Sequence, residues 1–193
     1  IGLATARLLR ERGWDVFLLD RRADALADAA AALQLPAART VAADVTDEAA
    51  VDDAVARVPH LRGLVNAAGV ALDKPAVETG VDEFRRIVDI NLTGTFLLCR
   101  AAARRWLAEG VAGSIVNFSS VSGRIGNKGR SAYGSAKAGV NLMSLVLANE
   151  WGEHGIRVNA IAPGPIETPM IAALHTDADR RKWTDRLPLR RYG

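Results

Sequence analysis

Between Ser120 and Lys137 the chain places a hydroxyl, a phenol and an ammonium where one reacting carbonyl could meet all three. The run from Ser131 to Val140 reads as a helix, so Tyr133 and Lys137, four residues apart, lie on one face a single turn from each other. An ammonium held there favours phenolate over phenol, which makes Tyr133 a candidate general acid/base. Ser120 closes the apolar run Ser114-Ile115-Val116-Asn117-Phe118-Ser119. It therefore sits at the carboxyl end of an expected strand, where open parallel sheets keep their ligand sites, and its hydroxyl could polarise a substrate oxygen. Singly these residues say little, because a Tyr and a Lys four apart occur on many helices and a strand-end Ser is commonly a cap. The signal lies in their order: strand, Ser, Gly-rich loop, then Tyr-x-x-x-Lys.

The elements that must position them alternate along the chain, as in a doubly wound parallel sheet with helices on both faces. Leu3 to Arg12 is expected to be helical and stopped by Gly13, with Trp14 to Leu19 the following strand, ending in Asp20. An Ala-rich helix from Ala23 to Leu33 precedes Pro36, and a short strand from Thr40 to Ala43 ends in Asp44. A helix from Asp47 to Arg57, capped by Thr46 or Asp47, leads to the strand Arg62 to Asn66. A long helix from about Val81 past Arg104 follows, then the Ser114 strand, the Tyr133 helix, the strand Ile156 to Ile161, a Pro-rich loop, and a polar helical tail from Ile171.

Three strands thus end at Asp20, Asp44 and Asn66, along an edge suited to an extended nucleotide. Ile1-Gly2 runs straight into a helix, where the last glycine of a phosphate-binding turn would sit with helix amides facing a pyrophosphate. Asp20, eighteen residues after Gly2, matches the acid that accepts hydrogen bonds from the adenosine ribose. A carboxylate there repels a 2′-phosphate and argues for NAD over NADP, while Arg21 and Arg22 keep the phosphate form open.

Composition bounds the alternatives. With 193 residues, 49% hydrophobic and 24% charged, the chain reads as one globular domain. Its net charge of +3 is spread over scattered Arg and only 5% of residues are aromatic, which disfavours nucleic-acid binding. Cys99, the single cysteine, suits core packing in a reducing compartment, and His60, His154 and His175 lack metal-ligand spacing and are expected at the surface or in caps. No apolar run approaches a membrane span and no signal-peptide pattern opens the chain, so a cytoplasmic protein is expected.

Taken together these residues make the sequence resemble a single-domain short-chain dehydrogenase/reductase over all of Ile1 to Gly193. The resemblance implies a Rossmann fold, with Gly2 as the last phosphate-loop glycine, Asp20 and Arg21 at the ribose, Asp44-Val45 at the adenine and Asn66-Ala67-Ala68-Gly69 as the adenine-side wall. It implies a catalytic set of Asn91, Ser120, Tyr133 and Lys137, no metal, and a nicotinamide cofactor held also by Tyr133, Lys137, Pro163, Gly164, Ile166 and Thr168. In that scheme Ser120 holds the substrate oxygen, Tyr133 takes the alcohol proton, Lys137 binds the nicotinamide ribose, and Asn91 helps hold a proton-relaying water. The implied reaction is hydride transfer between NAD and a secondary alcohol or ketone, in a homodimer or homotetramer.

The family usually carries two consecutive asparagines where this chain has Asn66-Ala67, the second tying the central strands together, so some local rigidity is expected to be lost. The first strand, the first two glycines of the turn and a final helix and strand are missing, so residues 1–193 read as an internal segment of a longer enzyme, unstable or inactive alone. Two other readings remain: an NADPH-dependent 3-oxoacyl-thioester reductase, suggested by Arg21 and by Arg124, Lys128 and Arg130, charges expected to be solvated; and a nucleotide-sensing module without turnover. The substrate pocket is expected from loops near 70–76, 121–130 and 166–187, with Met170, Ile171, Leu174 and Trp183 as an apolar cover.

Overall fold

A computed structural model describes all residues from Ile1 to Gly193. Helices and strands alternate as α1 (Gly2–Glu11), β1 (Leu18–Asp20), α2 (Ala23–Ala32), β2 (Thr40–Ala42), α3 (Glu48–Ala56), β3 (Gly63–Asn66), α4 (Val81–Val88), α5 (Gly94–Glu109), β4 (Gly113–Phe118), α6 (Ser131–Trp151), β5 (Ile156–Ile161), α7 (Pro169–Leu174) and α8 (Asp177–Arg186). Every strand pair is parallel, and a parallel pair needs a crossover, which the intervening helices supply. The expected doubly wound α/β class is the class observed.

Strands β1 and β2 form one ladder, with Leu18 opposite Thr40 and Asp20 opposite Ala42. Strands β3, β4 and β5 form the other, with Asn66 opposite Asn117 and Phe118 opposite Ile161, which aligns their carboxyl ends in one row. Two expected elements differ. The strand expected to begin at Trp14 begins at Leu18, because the register sets earlier residues against the 3₁₀ turn Ala37–Arg39, which offers no ladder. Phe17 lies instead under the Arg39 guanidinium, 4.4 Å from the ring centroid. The long helix expected from Val81 is divided by the π turn Asp89–Thr93, in which Asn91 is fully buried.

The main core joins Cys99, Ala102, Ala103 and Trp106 of α5 to Ile115 of β4, Leu147 of α6, and Ile156 and Val158 of β5. A second cluster packs Val51 and Val55 of α3 on Leu97, Leu98 and Ala101 of α5. Trp106 is fully buried and its Nε1–H donates to the Leu61 carbonyl at 2.8 Å. Gly113 makes room for that ring: a Cβ there would overlap it, and the indole is fixed at its far end by the hydrogen bond. Gly113→Ala should therefore cost about 1–3 kcal/mol. Urea unfolding checks this, and a change below about 0.5 kcal/mol would show that the indole yields freely.

A polar thread runs through the same core. The Asn66 amide donates to Asn117 Oδ1 at 2.8 Å and to Cys99 Sγ at 3.3 Å, and the Asn117 amide donates to Ser144 Oγ at 3.0 Å. The Ser144 hydroxyl in turn donates to the Val140 carbonyl at 2.7 Å. Burial pushes the Cys99 thiol up to about 12, which leaves it an inert packing group.

Candidate active site

The chain leaving β4 stays tied to its neighbours. Ser119 N–H donates to the Ile161 carbonyl at 2.8 Å and Val121 N–H to the Pro163 carbonyl at 2.9 Å, which bind it to the end of β5 and the loop beyond. The Ser119 hydroxyl donates to the Lys137 carbonyl at 2.8 Å, binding it to α6. Ser120 is buried in extended backbone, and its Oγ accepts the Ser122 N–H at 3.1 Å, which leaves the hydroxyl hydrogen to donate elsewhere. The turn after it presses on α6: a Cβ at Gly123 would lie 2.6 Å from the Lys137 carbonyl carbon, and one at Gly134 2.9 Å from the Ser122 oxygen. Sequence reasoning missed both glycines as site residues. For Gly123 the signal was the Gly-rich loop itself, while Gly134 lies within α6, and what each touches depends on the packing.

Lys137 is only 4% exposed, and its Nζ lies 5.9 Å from the Tyr133 ring centroid while donating to the Phe118 carbonyl at 2.7 Å. Burial lowers its pKa from 10.5 to about 8. Asn91, held by the π turn, donates to the Val70 and Ile87 carbonyls, both at 2.9 Å, and its buried Oδ1 has no donor in the protein. Gly69 borders both groups: a Cβ there would lie 2.7 Å from Asn91 Oδ1 and 3.6 Å from Lys137 Nζ. Only a residue without a side chain lets the loop after β3 pass here.

A cavity of about 500 Å³ is lined by Asn91, Ser120, Tyr133 and Lys137 together with Ala67, Ala68, Gly69, Pro163, Gly164, Ile166 and Thr168. Thr168 also caps α7, its hydroxyl oxygen accepting from Ile171 N–H at 3.3 Å. The remaining expected cofactor residues lie off this cavity. Gly2 opens α1 beside Ile1, which does line it. Asp20 ends β1 and accepts the Arg22 N–H at 3.0 Å. Asp44 accepts from the Thr46 N–H at 2.9 Å and hydroxyl at 2.7 Å; these bonds, with a smaller contribution from the Arg21 charge, hold it below the usual carboxylate range. The Val45 side chain is buried against Gly94.

Asn66 also ties the sheet: it stands opposite Asn117 and its amide donates to that side chain, the strand-tying role expected of the next position. One expectation needs correction. Arg130 is not solvated, because its side chain is only 11% exposed and lines the cavity beside Tyr133. His175 caps the carboxyl end of α7, as expected, and also reaches the cavity. It lines the cavity with Nδ1 2.9 Å from the Tyr192 hydroxyl and its ring stacked on Trp183 at 6.4 Å, and burial, then the Arg130 charge, lower its pKa. No spacing in the sequence marks His175; only its place within the expected 166–187 loop did. Met170, Ile171 and Trp183 line the cavity as expected, whereas Leu174 does not.

A family model described as enoyl-(acyl carrier protein) reductase matches residues 1–193. The chain is 44% identical over 184 residues to cis-4-hydroxycyclohexanecarboxylate dehydrogenase of Sinomonas cyclohexanicum, a match covering 92% of this chain and 73% of that one. It is 38% identical over 199 alignment positions to galactitol 2-dehydrogenase (L-tagatose-forming) of Cereibacter sphaeroides, covering 100% of this chain and 78% of the relative. The crystal structure of sorbitol-6-phosphate 2-dehydrogenase SrlD from Erwinia amylovora superposes with a TM-score of 0.88 at 26% identity, covering 100% of this chain and 82% of that one. A family match along the whole length, joined to this fold, means that the chain belongs to the short-chain dehydrogenase/reductase family, oxidoreductases acting on CH–OH groups.

Proposed function

We propose an NAD(H)-dependent secondary-alcohol dehydrogenase or ketone reductase with Tyr133 as its general acid/base. The observation that carries this reading is the convergence of Asn91, Ser120, Tyr133 and Lys137 on one cavity, with a buried cation behind the phenol. In the oxidation direction the phenolate of Tyr133 takes the alcohol proton while hydride leaves the same carbon. The Ser120 hydroxyl donates to the substrate oxygen throughout. Lys137 spends one N–H on Phe118, which leaves two for the nicotinamide ribose. The unpartnered Oδ1 of Asn91, next to Lys137 across Gly69, is the acceptor a relay water needs.

The residues suit the cofactor. Helix α1 opens with no acid in its first turn, so its free amides and Gly2 can take a pyrophosphate. Asp20 suits the adenosine ribose, Asp44 and the Val45 backbone the adenine, and Ala67 to Gly69 the wall beside it. Gly164, open within 4 Å where a side chain would stand, and Pro163, Ile166 and Thr168 suit the carboxamide end. Bound nicotinamide supplies the hydride acceptor or donor. NAD over NADP is supported by Asp20, whose carboxylate would repel a 2′-phosphate. We read residues 1–193 as one nucleotide-binding domain of a cytoplasmic homo-oligomer; Leu142, Leu145 and Val146, left exposed on α6, support the subunit contact, and no helix is long and apolar enough to cross a membrane.

The test is reduced-nicotinamide formation by the enzyme with NAD and NADP across a panel of secondary alcohols. Turnover with NAD should exceed that with NADP by at least about tenfold, and Asp20→Ala should narrow the gap, as expected for a lost charge-assisted hydrogen bond. Cofactor binding without turnover of any member would favour a nucleotide-sensing module instead.

A further inference from the structure

Arg130 ends the loop before α6, three residues ahead of Tyr133, and its guanidinium carbon lies 5.4 Å from the Tyr133 ring centroid. Although its side chain is only 11% exposed, its one ionic contact is the Asp73 carboxylate at 3.3 Å. Arg180, by contrast, grips Glu167 with two bonds of 2.6 and 3.3 Å. A guanidinium has five N–H donors in a planar fork, and the protein pairs that of Arg130 only with Asp73, which leaves the other donors free to meet a ligand in the cavity. Lys128, Arg130, Lys182 and Arg186 line the cavity in addition to Lys137, against only Asp73 and Asp179. Asp179 is spent on the cap of α8, accepting from the Thr176 N–H at 3.1 Å and hydroxyl at 2.6 Å. Asp73 is pinned: Lys74 N–H donates to the Gly129 carbonyl at 3.0 Å, and the Asp73 carboxylate fills the space where a Cβ of residue 129 would stand.

We propose that Arg130 is the specificity residue of an anion subsite beside Tyr133, and that the substrate carries a carboxylate or phosphate-type group besides its secondary alcohol. This rests on the oxidoreductase reading above. The planar fork can pair such a group bidentately, with Asp73 as the internal carboxylate it exchanges for the substrate's.

The test compares kcat/KM of the holoenzyme for cyclohexanol and for 4-hydroxycyclohexane carboxylate, phosphonate and primary carboxamide. At least one anion should be preferred over the carboxamide by about tenfold or more, and which one identifies the group. Arg130→Gln should reduce that ratio by about ten- to a hundredfold, Arg130→Lys should restore part of it, and Asp73→Asn, which frees the guanidinium, should raise it. An unchanged ratio in Arg130→Gln, with all substrates slowed in proportion, would make Arg130 a structural residue and sink the proposal; should that variant not fold, a ratio that fails to rise in Asp73→Asn does the same. Turnover of cyclohexanol without preference for either anion removes the subsite alone. No turnover of any of the four removes the oxidoreductase reading first.

Discussion

Tyr133→Phe should lose turnover by about a hundred- to ten-thousandfold, the range supplied by a positioned proton donor, while still binding NADH. The substitution removes one oxygen and little else. The ring remains between the Arg130 guanidinium, 5.4 Å from its centroid, and the Lys137 ammonium at 5.9 Å, so packing and cation–π attraction persist. What goes is the group that accepts the alcohol proton; the Ser120 hydroxyl, which accepts from Ser122 N–H, is hydrogen-bonded to no base that could take its place. Single-turnover rates with saturating cofactor, beside calorimetric titration of NADH, separate the two effects. A variant within about tenfold of the parent would remove Tyr133 from the proton transfer, and lost NADH binding would mean that the hydroxyl holds cofactor instead.

Lys137→Met should lose turnover to a similar degree and yet make the cofactor-free protein more stable at neutral pH by about 1–3 kcal/mol. The ammonium is 4% exposed, has no carboxylate beside it, and is held by a single carbonyl. Its folded pKa of about 8 lies below the unfolded value of 10.5. Below pH 8 both states hold the proton and the folded one bears the full desolvation cost, roughly 3 kcal/mol at about 1.4 kcal/mol per unit. Between 8 and 10.5 the unfolded chain binds the proton that the folded chain has released, so the stability of the parent rises with pH. The advantage of the Met variant, reduced by the orphaned Phe118 carbonyl, should therefore be largest near pH 7 and vanish toward 10.5. Urea unfolding at the two ends of that range checks it. A Met variant less stable than the parent at pH 7 would mean that the ammonium is stabilised by something other than its one carbonyl.

How much of this could be read from the residues alone depended on the range of the interaction. Tyr133 and Lys137 were legible because a helix turn fixes their relation locally, and Ser120 because it follows an apolar run that can only be a strand. The start of β1 was misplaced because strand length depends on what lies opposite, and opposite Phe17 lies a 3₁₀ turn. That Asn66 also bonds across the sheet could not be read, because its partner Asn117 lies 51 residues away. Arg130 was taken as solvated for the same reason. Charge is written in the sequence, but the Asp73 carboxylate that accompanies it into the cavity arrives from another segment.

The polar thread through the core has a consequence for the accuracy of the site. Side chains on a strand alternate faces, so a slip of β4 by one residue against β3 would set Val116 or Phe118 opposite the Asn66 carboxamide and turn Asn117 away from Ser144. Buried amides would lose their partners at both ends, so a misregistered sheet is penalised far more than an all-apolar one would be. One residue of strand is about 3.3 Å, comparable to the whole reach of a hydrogen bond. The thread thus acts as a ruler, fixing how far the serine hydroxyl three residues beyond Asn117 advances toward the phenol and ammonium on the next helix.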